Sequence, residues 1–78
     1  MDTYDVALWR SFPLFHGFPY VGEVQADSPL LAVLTLMSTH NLKYVAYAAA
    51  RVPSQAKITR FQHGVRLCAE GEGPTCNL

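Results

Sequence analysis

Charge is scarce in this sequence and balanced in sign. Only 15% of its 78 residues are charged, six basic against six acidic, for a formal net charge of zero. That excludes the basic footprint of a nucleic-acid binder and the polybasic run that holds a chain on an anionic membrane surface. Cysteine is nearly absent as well. Cys68 and Cys76 both lie near the C-terminus, where a disulfide between them closes only a short tail loop and leaves the body of the chain unsupported. Free thiols in a reducing compartment are therefore expected, and with them an intracellular location, cytoplasmic or nuclear. Long apolar runs are missing: none approaches the roughly 20 residues needed to span a bilayer. Met1 is followed by Asp2 and Thr3 rather than by the basic and apolar blocks of a signal peptide.

Clusters that carry chemistry are missing too. His16, His40 and His63 have no close mutual spacing. With two cysteines they do not make a zinc pattern, which needs about four ligands at regular spacing. His63 and Cys68 lack an orienting third group and a set of oxyanion donors. No metal site, no catalytic residue and no enzyme activity are expected.

What the chain does have is apolar surface. Half of its residues are hydrophobic, a globular composition rather than a disordered one. A chain this short buries a small core and is marginal alone. An apolar patch covered by a partner is one consequence; a piece cut from a longer module is another.

Along the chain, Met1 to Ser11 reads as a short helical lead-in, with Val6, Leu8 and Trp9 apolar between Asp2, Asp5 and Arg10. Phe12 to Tyr20 is an ordered loop punctuated by Pro13, Gly17 and Pro19, in which Phe12, Phe15 and Phe18 offer rings to a neighbouring surface. Tyr20 to Gln25 reads as a short strand, with Tyr20, Gly22 and Val24 on one side and Val21, Glu23 and Gln25 on the other. Asp27-Ser28-Pro29 then starts a helix: a side-chain acceptor precedes a proline that suits the first helical position. Leu30, Val33, Leu34 and Met37 fall at i, i+3, i+4 and i+7 and define one apolar stripe, widened by Leu31 and Leu36. This stripe is the expected core and module interface. His40-Asn41 closes the helix, because Asn41 tolerates the left-handed conformation of a C-cap and Leu42 can fold back onto the last turn. Lys43 to Val52 favours a strand through Tyr44, Val45 and Tyr47, while Ala48, Ala49 and Ala50 suit strand or helix. Pro53-Ser54-Gln55 is a turn, Lys57 to Phe61 a second short strand, and Val65 and Leu67 follow Gly64. From Glu70 the composition shifts to Gly, Glu, Pro and Asn, a disordered tail.

The stretch VGEVQADSPLLAVLTLMSTHNLKYV, Val21 to Val45, resembles the opening half of a CBS domain. The residues that carry the likeness are Val24, Asp27, Ser28, Pro29, Leu30, Val33, Leu36, Met37, His40, Asn41, Leu42 and Val45. It looks closest to plant relatives of the gamma subunits of AMP-activated and sucrose-nonfermenting-type kinases. The resemblance implies an α/β fold: a single partial CBS-like module of short strand, apolar helix and two short strands. Its boundaries would be 1–19 for the lead-in and aromatic loop, 20–68 for the module and 69–78 for the tail. It implies pairing with a second CBS module of the same or another chain, a protein kinase as a further partner, and AMP, ADP or ATP as ligand. Thr59 and Gln62 would border the ribose, Val21, Gly22 and Tyr47 the adenine, and Lys43 and Arg60 the phosphates. Two departures stand out. Gln62 occupies the position of a carboxylate, and an amide carbonyl accepts ribose hydroxyl protons more weakly. The second helix that completes such a module is short or missing in Phe61 to Cys68. The non-catalytic regulatory reading therefore stands beside an interaction-only reading without ligand.

Overall fold

A computed structural model describes residues 1–10 and 19–67. The aromatic loop residues Phe12, Phe15 and Phe18, Cys68 and the expected tail 69–78 lie outside the described residues. The elements are β1 (Asp2–Trp9), β2 (Tyr20–Ala26), α1 (Pro29–Thr39), β3 (Tyr44–Val45), β4 (Tyr47–Arg51), β5 (Thr59–Phe61) and β6 (Val65–Arg66). The α/β class holds, and one antiparallel sheet in the order β2-β1-β4-β5 forms its main layer.

The expected helical lead-in over Met1–Ser11 is corrected: Asp2–Trp9 is a strand, and it sits inside the sheet. It pairs with β2 on one side, Tyr4 opposite Val24, and with β4 on the other, Leu8 opposite Ala48. Tyr4, Val6 and Leu8 alternate inward and are buried, a period of two. Ala7 and Trp9 occupy the other face and are apolar as well, which blurs the alternation in the sequence and makes the segment look helical. The expected two-sided strand Tyr20–Gln25 is found with its faces as read, since Val24 is buried and Val21 and Glu23 are exposed.

Helix α1 crosses from β2 to β4 over β1 and packs on all three strands. Its start follows from the capping chemistry. Ser28 is extended (φ −153°, ψ 160°) and its Oγ accepts from the Leu31 N–H at 3.2 Å, with Pro29 in the first turn. Ser28→Ala is expected to cost about 1 kcal/mol, a fall in melting temperature of roughly 4–8 °C for a domain of this size, measurable by circular dichroism. The helix ends as the sequence suggests. Asn41 adopts φ +57°; its N–H donates to the Ser38 carbonyl at 3.1 Å and the Leu42 N–H to the Met37 carbonyl at 2.9 Å. That is the paired bonding of a Schellman end. On the outer side Thr35 Oγ1 donates to the Leu31 carbonyl at 2.8 Å and Thr39 Oγ1 to the Thr35 carbonyl at 3.0 Å.

The buried face of α1 is Ala32, Val33, Leu36 and Met37. Of the expected stripe, Val33 and Met37 lie in the core, whereas Leu30 and Leu34 are partly buried against its margin and Leu31 is exposed. The helix is thus wet along one side rather than covered around most of its circumference. Its apolar face is covered by the chain's own sheet. Gly22 makes this contact close: a Cβ there would stand 2.9 Å from Leu36 Cδ1.

The strand expected over Lys43–Val52 is broken at Ala46, whose N–H donates to the Trp9 carbonyl at 2.9 Å. Its first part, β3, leaves the main sheet and pairs with β6, Val45 opposite Val65. Its second part, β4, carries the ambiguous Ala48–Ala50 as strand. Strand β6 occupies the stretch in which the family pattern places a second helix. Gly64, which turns the chain into β6, has φ +87° and lies under the Tyr44 ring, a conformation and a clearance that suit glycine.

Candidate functional site

With the helix on one face, the other face of the main sheet carries the residues that alternate outward: Thr3, Asp5, Ala7 and Trp9 on β1, Val21, Glu23 and Gln25 on β2, and Tyr47, Ala49 and Arg51 on β4. The register arranges them in rows across the strands. Val21, Ala7 and Ala49 form one row, which Arg60 extends on β5, because Ala7 pairs with both Val21 and Ala49 and Ala49 pairs with Arg60. Glu23, Asp5 and Arg51 form the next. Trp9 and Tyr47 close one end of the face, opposite each other in the ladder with ring centroids 5.3 Å apart and planes at 75°.

The floor is low because Ala7 and Ala49 sit side by side in the two central strands. The groove above it has a volume of about 410 Å³ and is rimmed by Val21 and Ile58. Both rim residues meet solvent, Val21 at 66% and Ile58 at 37% exposure. Asp5 and Arg51 stand at the groove as a cross-strand ion pair at 3.9 Å, each side chain nearly half exposed, a geometry that contributes little to stability.

A second, smaller hollow of about 160 Å³ lies on the helix side, where Lys57, Thr59 and Gln55 approach Asp2 and Pro29. It is below the roughly 300–1,000 Å³ of pockets that enclose small ligands.

The residues expected to hold a nucleotide do not converge. Val21 and Gly22 are neighbours in β2 but point to opposite faces, Val21 outward and Gly22 towards Leu36. Tyr47 meets Trp9 edge to face. Thr59 lines the smaller hollow, and Gln62 is exposed in the turn after β5. Of the expected phosphate residues, Lys43 is exposed just before β3, and Arg60 stands on the open face, away from Thr59 by strand alternation.

Reading the sequence missed Asp5, Ala7, Ala49, Arg51 and Ile58 as surface determinants. The signal was faint: a single alanine on the outward side of each central strand, Ala7 and Ala49, between inward neighbours that are apolar as well. Among the described residues no polar or charged side chain is buried, and no three His, Cys, Asp or Glu residues gather to hold a metal ion. Among those residues, too, no helix is long and apolar enough to cross a membrane. No family model, no curated protein and no solved structure matches this chain.

Proposed function

We propose that this chain is a non-catalytic interaction module whose working surface is the open face of its four-stranded sheet. The observation that carries this reading is the low alanine floor between two exposed aliphatic residues, Val21 and Ile58. A contiguous apolar surface on so small a chain has a cost in water that a partner removes.

The CBS-type reading, in which a second module and a kinase are partners and AMP, ADP or ATP is the ligand, draws on one structural feature: Thr59 and Lys57 share a hollow near the start of α1. Its small size and the dispersal of Val21, Tyr47 and Gln62 favour docking without a nucleotide.

Two measurements test the proposal in dilute solution. An environment-sensitive apolar dye is expected to bind the folded chain and to lose most of that binding in Ala49→Arg, with the melting temperature of the variant little changed. AMP and ATP at millimolar concentration are expected to leave the melting temperature where it is. A melting temperature that climbs with nucleotide concentration, as linkage requires for a ligand of the native state, would replace docking with sensing. A dye that ignores the Ala49 substitution would remove the open face as the working surface.

A further inference from the structure

On the premise that the open face is a docking surface, we infer that its partner is a second copy of this chain, stacked face to face about a two-fold axis running along the strands. The placement of charge on the face carries this. Its acidic residues, Glu23 and Asp5, lie on β2 and β1; its basic residues, Arg51 and Arg60, lie on β4 and β5. The strand order β2-β1-β4-β5 therefore makes one half of the face negative and the other positive.

A two-fold axis between two such sheets, parallel to the strands, sets β2 of one copy over β5 of the other and β1 over β4. Every contact then occurs twice, as an isologous interface requires. Ala7 meets Ala49 of the second copy, so the two sheets can approach to the ~10 Å of packed sheets. Asp5 faces Arg51 of the second copy, and the two intramolecular ion pairs join into one cluster of alternating sign. Glu23 comes within reach of Arg60 of the second copy, and neither has an ionic partner among the described residues. An axis across the strands would instead set β2 over β2, acid against acid. The charge pattern thus selects one orientation as well as one partner.

The face is modest in size. Four strands about 4.8 Å apart, of eight, seven, five and three residues rising about 3.3 Å each, give a footprint of at most roughly 19 by 23 Å, smaller than the ~800 Å² per partner of standard stable complexes. The association is accordingly expected in the micromolar range, growing with concentration.

Sedimentation equilibrium of the full chain and of charge-reversed variants tests this. The wild-type chain is expected to pass from the 8.6 kDa monomer to a dimer as concentration rises towards about 1 mM, a range set by micromolar affinity. Glu23→Arg and Arg60→Glu each place like charges across the interface and are expected to weaken pairing by about tenfold or more. Both sites are exposed, and circular dichroism melts check that each variant folds. Mixed one to one, the two variants recover pairing, because Arg at position 23 of one then meets Glu at position 60 of the other in both contacts. Recovery in the mixture supports the two-fold stack. A wild-type chain that stays monomeric while the dye still binds at Ala49 overturns self-pairing and leaves docking on another partner intact. A dimer indifferent to both reversals and to Ala49→Arg overturns it too, and points to pairing along the free edge of β2.

Discussion

A chain shortened to begin at Pro19 loses its cooperative thermal transition and its far-ultraviolet circular dichroism becomes that of an unfolded polypeptide. Strand β1 is an inner strand of the main sheet, hydrogen-bonded to β2 and β4, so its removal leaves β2 without a partner and separates it from β4. It also removes Tyr4, Val6 and Leu8 from the core, the last fully buried. Each large apolar side chain contributes roughly 1.5–3 kcal/mol, whereas a domain of this length has a total stability of only about 4–12 kcal/mol at ~0.05–0.15 kcal/mol per residue. Three such side chains and two strand pairings exceed what the remainder can lose. The opposite result, a sharp melt for residues 19–78, would mean that the segment from 20 to 68 folds by itself and that β1 is the appended lead-in its sequence suggests.

The second large effect separates the buried face of α1 from the stripe suggested by spacing. Met37→Ala is expected to cost ~2–5 kcal/mol through lost burial and a cavity that the surrounding Val33, Leu36 and strand residues fill only partly. In a chain of this stability such a loss brings the melt close to ambient temperature. Leu31→Ser, six residues earlier in the same helix, is expected to change stability by no more than ~0.5 kcal/mol, because Leu31 is 48% exposed. Urea titration of both variants with unchanged slope gives the difference directly. Equal losses at the two positions would place Leu31 against a surface, as a helix covered on most sides would have it.

These expectations mark where local information was sufficient. Ser28, Pro29 and Asn41 act through bonds to residues at most a few positions away. The limits of α1 were therefore legible, and so was the turn-back of Leu42. The two faces of β2 were legible because polar Glu23 and Gln25 mark the outward positions. In β1 and β4 that marking fails: Ala7, Trp9, Tyr47 and Ala49 are apolar yet face outward, so alternation is hidden, and β1 resembles a helical turn. The helix stripe was right in kind but shifted, since Leu30 and Leu31 are as apolar as the residues that are buried; the sheet selects the face.

The amino-acid sequence by itself determined the α/β character, the capped helix and the scarcity of charge, all consequences of composition or of interactions within one turn of chain. Only the tertiary structure decided that the N-terminal segment is the strand between β2 and β4, that Val21, Thr59 and Gln62 point to different places, and that a face with acid at one side and base at the other is left uncovered by the described residues. Strand order and register are fixed by long-range burial of one face against one helix. Charges from four strands acquire a common pattern only after that burial has placed the strands side by side.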